Sequence, residues 1–339
     1  MPESDDTAAP IGDETTADGG VELGKTSGGG GAATLQRDWH NPAIGMFDGV
    51  DQVPGVKKPD PILVASEISR SFGGLRAVDV DHLEVQRGAI TALIGPNGAG
   101  KTTFFNLLTQ FDTPDQGTVT FDGNATTGVR SHELATRGMV RTFQLTKVLA
   151  KMTVIDNMKL AAQEQTGESM WKALLNGWRD QEREVEARAL QVLDEFNMIH
   201  MKDEFAGALS GGQRKLLEMA RAMMAQPRLI MLDEPMAGVN PALTQSLLGH
   251  VKRLRSEGIS VMFVEHDMDV VQDISDWVVV MAEGAIIAEG PPRAIGQNPA
   301  VVDAYLGSSH AALTEEIREA VADSETTATD TSAPGGDDE

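Results

Sequence analysis

Apolar and polar positions divide the middle of the chain into strand-like and helix-like stretches. Residues 62–68 and 78–85 read as strands, residues 89–94 form a short apolar run ending at a glycine, and residues 118–121 followed by Asp122-Gly123 read as a hairpin edge. Residues 102–109 carry Phe104, Phe105, Leu107 and Leu108, the content of a packed helix. From about residue 154 to 224 the pattern is helical almost throughout. Val185, Ala189, Val192, Leu193 and Phe196 recur there at three- and four-residue spacing and form one apolar stripe. Residues 229–232 and 260–264 then return as buried strands. The simplest arrangement is α/β, a parallel sheet with a helical insertion in its middle. No internal repeat is visible.

The flanks differ. Residues 1–60 are rich in Gly, Asp, Thr and Pro, with four glycines at 28–31, and predict a disordered acidic extension. Within it, the stretch from Trp39 to Phe47 has enough apolar surface to dock, although the sequence does not say where. Residues 308–339 predict a second acidic, largely disordered tail beyond a short helix near 313–321.

Charge narrows the partners. The net charge is -23, and acidic side chains outnumber basic ones 11 to 4 in residues 1–60 and 9 to 1 in residues 308–339. A field of that sign disfavours nucleic acid and anionic lipid. It fits either a moderately acidic domain with two acidic tails or a protein adapted to a salt-rich cytoplasm. The absence of cysteine excludes disulfides, thiolate metal sites and cysteine nucleophiles. The amino terminus has no secretory pattern, and the longest apolar runs, such as residues 277–282, fall far short of the roughly 18 residues a spanning helix needs. A cytoplasmic protein that reaches a membrane through a partner is the expectation.

Three motifs carry the chemistry. Gly95-Pro96-Asn97-Gly98-Ala99-Gly100-Lys101-Thr102 satisfies G-x-x-x-x-G-K-[ST], with an apolar strand before it and a helix after it. Its glycines let backbone N–H groups wrap phosphates, Lys101 reaches the β- and γ-phosphates, and the Thr102 hydroxyl can ligate Mg²⁺. Thr103 continues that cradle. Leu229-Ile230-Met231-Leu232-Asp233-Glu234 is an apolar strand delivering Asp233 towards Mg²⁺ and Glu234 towards the water that attacks a γ-phosphate. Leu209-Ser210-Gly211-Gly212-Gln213 precedes a helix bearing Leu216, Leu217, Ala220 and Met223 on one face, a second anion-binding helix start. Two such starts suggest that one cradles ATP and the other caps an ATP held by a second chain.

On these motifs, residues of about 62–307 resemble ABC-type ATPases. The resemblance implies a P-loop NTPase fold: an ABC-type nucleotide-binding domain over residues 61–307 with a mixed core sheet, an antiparallel β-subdomain and a helical subdomain at about 145–225. It implies a head-to-tail sandwich of two such domains, with Ser210, Gly211, Gly212 and Gln213 over the partner's ATP. Phe72 then stands where a ring stacks on adenine, Gln144 in Arg141-Thr142-Phe143-Gln144 where a loop senses Mg²⁺ and meets the membrane domain, and His266 where a histidine holds the γ-phosphate. Asn240 replaces the Asp often found after the catalytic Glu, which weakens its expected role across the dimer.

A finer resemblance rests on Arg70 to Val78, Met152 to Asn157, Ala237 to Pro241, Glu265-His266-Asp267-Met268 and the ending Asn298-Pro299 to Gly307. These stretches look like the ATPases of branched-chain amino acid importers and the similar urea-type importers. The resemblance implies an ATP hydrolase with two permeases, a second ATPase chain and an external binding protein as partners, peripheral on the inner membrane face. A soluble ABC-type ATPase, an exporter of lipid type and a non-hydrolysing subunit are the rivals.

Overall fold

The computed structural model describes residues 45–142, 148–162 and 177–306, with side chains from residue 180 in the last stretch. All of these belong to the unit Trp39–Glu339.

Two sheets organise the chain. An antiparallel sheet has the order β2-β1-β4-β5, built from β1 (Pro61–Phe72), β2 (Leu75–Gln86), β4 (Gln116–Phe121) and β5 (Asn124–Ala125). Its register pairs Ala65 with Leu83 and with Val119, so one face stacks apolar side chains. The second sheet has the order β10-β9-β3-β8-β7-β6, with β3 (Ile90–Ile94), β6 (Met139–Arg141), β7 (Leu229–Asp233), β8 (Ser260–Val264), β9 (Trp277–Ala282) and β10 (Ala285–Gly290). The four pairings from β9 to β6 are parallel and β10 alone is antiparallel, which makes the sheet mixed.

Strands covered on both faces explain the uninterrupted apolar runs. Ile230, Leu232, Val261, Phe263, Val278 and Val280 point into one core, while Leu229, Met231, Met262, Val264, Val279 and Met281 point into the other. The second core is closed by Phe104, Phe105, Leu107 and Leu108 of α1 (Lys101–Leu108) and by β1 and β2. The first is closed by helices: α3 (Val154–Leu160), α4 (Gly177–Glu195), α5 (Gly211–Met224), α6 (Pro241–Ser256) and α7 (Met268–Ile274). Alternation with period two is present, but both phases are apolar.

The helical insertion is less continuous than its pattern predicts. Between α4 and α5 the chain runs through two 3₁₀ turns, Ile199–Met201 and Ala206–Ala208, and Thr153 bridges to Phe205. Asn197 at φ 55° ends α4 in a left-handed cap. The edge strand β6 and the short helix α2 (Ser131–Thr136) before it carry too few apolar residues to stand out in sequence. A last short helix, α8 (Pro292–Ile295), precedes helical residues 299–306.

The amino-terminal extension expected over residues 1–60 needs correcting at its end, because residues 45–60 pack on the domain. Phe47 stacks on Trp277 at 4.7 Å between ring centroids, and Lys58 Nζ lies 4.5 Å from the Trp277 ring on a buried ion pair with Glu289 at 2.8 Å. Glu289 also accepts from Gly55 N–H at 2.9 Å and from Trp277 Nε1–H at 3.0 Å. Lys58 N–H in turn donates to Glu84 at 2.6 Å. Burial holds the Lys58 ammonium below its ordinary pKa, and Glu289 works against that shift. The sequence shows a polar Gly/Pro stretch here because the anchors are single residues spaced too widely to form a period.

Removing Glu289 strands one buried cation and two N–H donors at once. Glu289→Ala is expected to destabilise the domain by about 3–5 kcal/mol, as breaking one side of a buried pair does. Lys58→Met, which removes the charge and keeps the stem, should cost clearly less. Equilibrium urea unfolding of the two variants checks the order.

Candidate functional site

Parallel strand pairing gathers the motifs. Leu93 of β3 pairs with Val264 of β8, and Val264 pairs with Asp233 of β7. The chain therefore leaves the three strands side by side at Gly95, Glu234 and Glu265.

The loop after β3 is shaped by its glycines. Gly95, Gly98 and Gly100 have φ of 150°, 79° and 92°, all in the region that a side chain disfavours. A Cβ on Gly95 would lie 2.0 Å from the Met281 carbonyl oxygen and one on Gly100 2.4 Å from that of Ala77, so both are fixed by close backbone packing. Gly98 is different: nothing lies within 4 Å of its Cβ position. It opens onto a cleft of about 580 Å³ lined by Leu75, Asn97 to Thr103, Glu234 and Glu283.

Lys101 starts α1 and folds back, its ammonium donating to the carbonyls of Gly95 at 2.7 Å and Pro96 at 2.9 Å. Among the described residues no carboxylate pairs with it directly. Burial lowers its pKa, opposed by the nearby charges of Glu234 and Asp233. A half-buried cation that bonds only to loop carbonyls, beside an open loop of N–H groups, fits a polyphosphate. Thr102 is exposed at this end of α1.

Asp233 ends β7 in an ion pair with Arg141 at 3.0 Å, with both side chains largely buried. Arg141 also donates to Asn106 at 2.6 Å and rests over the Phe105 ring at 5.1 Å. Asp233 is thus tied to α1, the helix that follows the phosphate loop. The sequence marks Arg141 only as a residue of the Gln144 motif; a buried arginine at the end of a three-residue strand has no periodic signal. Gln144 lies outside the described residues.

Glu234 sits at φ 45° in the tight turn after β7 and its N–H donates to Val264 C=O at 3.0 Å. His266 follows β8, its side chain about two-thirds exposed and its Nδ1 3.8 Å from the buried Glu265 carboxylate. Burial raises the Glu265 pKa, the N–H groups of Met236 and His266 oppose the rise, and Glu234 adds to it. Phe72 and Leu75 pair at the tip of the β1–β2 hairpin. Leu75 lines the cleft, while the half-exposed Phe72 ring has the Arg70 guanidinium over it at 4.9 Å.

The second helix start is built apart from this cleft. Ser210 and Gln213 form a reciprocal capping box, with Gln213 N–H donating to Ser210 Oγ at 3.3 Å and Ser210 N–H to Gln213 Oε1 at 2.8 Å. The two glycines between them have unlike reasons. Gly212 is buried, and a Cβ there would meet Leu243 of α6 at 2.3 Å, whereas Gly211 faces open space. Asn240 caps α6 by accepting from Leu243 N–H at 3.0 Å.

The unlike surroundings of the loop glycines separate folding from binding. Gly98→Ala is expected to fold with a loss of about 1–2 kcal/mol from its left-handed backbone and to bind ATP weakly. Gly100→Ala, which drives a Cβ into the Ala77 carbonyl, should lose more stability. Urea unfolding and ATP titration of both variants check the contrast.

Known proteins resemble this chain. The ABC transporter family profile matches residues 78–237, and that of the branched-chain amino acid ATP-binding cassette transporters matches residues 285–311. The chain is 43% identical over 247 residues to a probable branched-chain amino acid transport ATP-binding protein LivG of Archaeoglobus fulgidus, covering 73% of this chain and 96% of the relative. It is 42% identical over 252 residues to the high-affinity branched-chain amino acid transport ATP-binding protein BraF of Pseudomonas aeruginosa, covering 74% and 99%. A crystal structure of a nucleotide-free ATP-binding cassette from an ABC transporter superposes with a TM-score of 0.63 at 37% identity, covering 72% of this chain and 98% of the other. An ATP-binding cassette in its ADP conformation gives 0.63 at 36% identity, covering 73% and 99%. With sheet order, phosphate loop and these relatives in accord, the chain belongs to the ATP-binding proteins of ABC transporters, in the branched-chain amino acid transport family, and is an ATPase coupled to transport.

Proposed function

We propose that this chain is the motor of an importer for branched-chain or other amino acids, working with two permeases, a second ATPase chain and an external binding protein. The observation that carries the mechanism is the separation of two helix starts in one chain. Asn97 to Thr103 line the cleft with Glu234, whereas Ser210 to Gln213 do not line it. A second ATPase chain placed head to tail would bring its own Ser210–Gln213 equivalent over that cleft.

In this reading the N–H groups of residues 95–103 and the Lys101 ammonium hold the phosphates, and Phe72 stacks on the base. Thr102, Asp233 and Gln144 are the residues that would hold Mg²⁺, which when bound neutralises charge on the phosphate oxygens. Arg141 holds Asp233 at the strand end in reach of that task. Glu234 accepts a proton from the attacking water, and His266 donates to the γ-phosphate. Phosphoryl transfer asks for positioning and charge more than covalent chemistry, which suits a site of rigid strand ends.

Among the described residues no helix is long and apolar enough to cross a membrane, so peripheral attachment through permeases is the reading that fits. The acidic surface supports the absence of nucleic-acid partners. Cargo selection belongs to the partners, which leaves urea-type substrates as the alternative for the same machinery.

Two measurements test the proposal. Glu234→Gln should abolish turnover while ATP stays bound; retained turnover removes Glu234 from its role. Tagging the chain in its host and identifying what co-purifies from solubilised membranes should recover two permeases and a second ATPase. Recovery without membrane proteins would favour a soluble ABC-type ATPase. The net charge of -23 further supports adaptation to a salt-rich cytoplasm. Thermal unfolding across molar potassium chloride should then show a rising midpoint, and a falling one ends that idea.

A further inference from the structure

Glu265 is fully buried, at the end of β8, and among the described residues no Lys or Arg pairs with it. Burying a carboxyl whose nearest basic group is the His266 ring at 3.8 Å is costly, and an apolar residue would fill the space better if filling were its purpose. What the side chain has is one oxygen that reaches across to another segment and one that holds the backbone of the next residue. Oε1 accepts the Met236 N–H at 3.0 Å, and Oε2 accepts the His266 N–H at 3.3 Å. Met236 is two residues past Glu234, in the turn that leaves β7.

That turn is strained. Glu234 is not a glycine, yet it holds φ 45°. Its conformation is pinned on one side by its own N–H on Val264 C=O and on the other by Met236 N–H on Glu265. Both acceptors belong to consecutive residues at the end of β8. The inward turn of Glu234 and the backbone of His266 are therefore fixed to one another through a single carboxyl.

We propose that Glu265 is a positioning residue for the hydrolytic step, one carboxyl that sets the aim of Glu234 and the placement of His266 together. The inference rests on the roles of Glu234 and His266 given above. A glutamine at this position keeps the shape but offers one acceptor, so its amide NH₂ must face one of the two N–H donors.

The test uses the full-length chain, purified with the partners it carries, as wild type, Glu265→Gln and Glu265→Asp. Turnover, ATP affinity, melting temperature and ATP retained through rapid desalting are measured for each. In Glu265→Gln, kcat should fall at least about tenfold, with ATP affinity held within about threefold and the melting temperature little changed. ATP should also be retained through desalting as it is in Glu234→Gln, a property that a loosened fold would not confer. Glu265→Asp keeps the charge on a shorter stem; it should fall between the two and carries the test if the glutamine variant does not fold. Wild-type turnover in Glu265→Gln, or in Glu265→Asp where that variant carries the test, overturns the inference, as does loss of ATP affinity and melting temperature together with kcat. A wild-type chain that turns over no ATP refutes the hydrolytic reading itself, and this inference with it.

Discussion

The parallel pairing of β3, β8 and β7 is the constraint on which the rest depends. Three segments far apart in sequence leave the sheet at one edge because Leu93, Val264 and Asp233 share a register. A shift of one residue in any of these strands would turn its apolar side chains from one core to the other. With both faces buried, that shift is resisted on both sides of the sheet. The chemistry at the edge inherits its precision from a packing rule that knows nothing of ATP.

Close backbone approach is the second layer of the same argument. Gly95 and Gly100 let the phosphate loop lie against the Met281 and Ala77 carbonyls, and Gly284 N–H donates to Ala99 C=O at 3.1 Å. The β9–β10 hairpin thus serves as a wall behind the loop. Gly212 plays an equivalent part at the other helix start by admitting Leu243 of α6. Gly95 and Gly100 are held by backbone atoms and Gly212 by the Leu243 side chain, while a neighbour, Gly98 or Gly211, has open space in front of it. Conformational and ligand-facing demands are divided between adjacent glycines, and a motif string shows them as equal.

The division explains what the sequence disclosed. Long apolar runs and the motifs at 95–102, 209–213 and 233–234 were legible because burial on two faces and close backbone packing at strand ends both demand particular residue types at fixed spacing. Arg141, Glu265 and the Lys58–Glu289 pair were not. Each is a charged residue in the interior with at least one partner far away in sequence, and hydrophobic patterning assigns such residues to the surface. The break between α4 and α5 was missed for a related reason. Phe196, Met198, Met201, Ala206 and Leu209 are all buried, so the apolar content continues while the backbone leaves the helix.

Three interior ion pairs in this domain share a placement. Lys58–Glu289 ties the amino-terminal segment to β10, Arg141–Asp233 ties β6 to β7, and Arg255–Asp276 ties α6 to the start of β9, where Asp276 also accepts the Ile90 N–H at 2.8 Å. None lies in the middle of a strand, and each lies near the end of an element. Desolvating these groups gives little net stability, whereas losing one partner is severe. That asymmetry suits strand ends, where apolar packing fixes the layer but leaves the chain's exit direction open. A buried pair rejects every exit that leaves a charge unmatched, so it sets direction where packing alone does not. Glu265 follows the same logic with backbone N–H groups in place of a cation, and under the proposed roles its position beside Glu234 would turn a folding device into one that aims a reactive group.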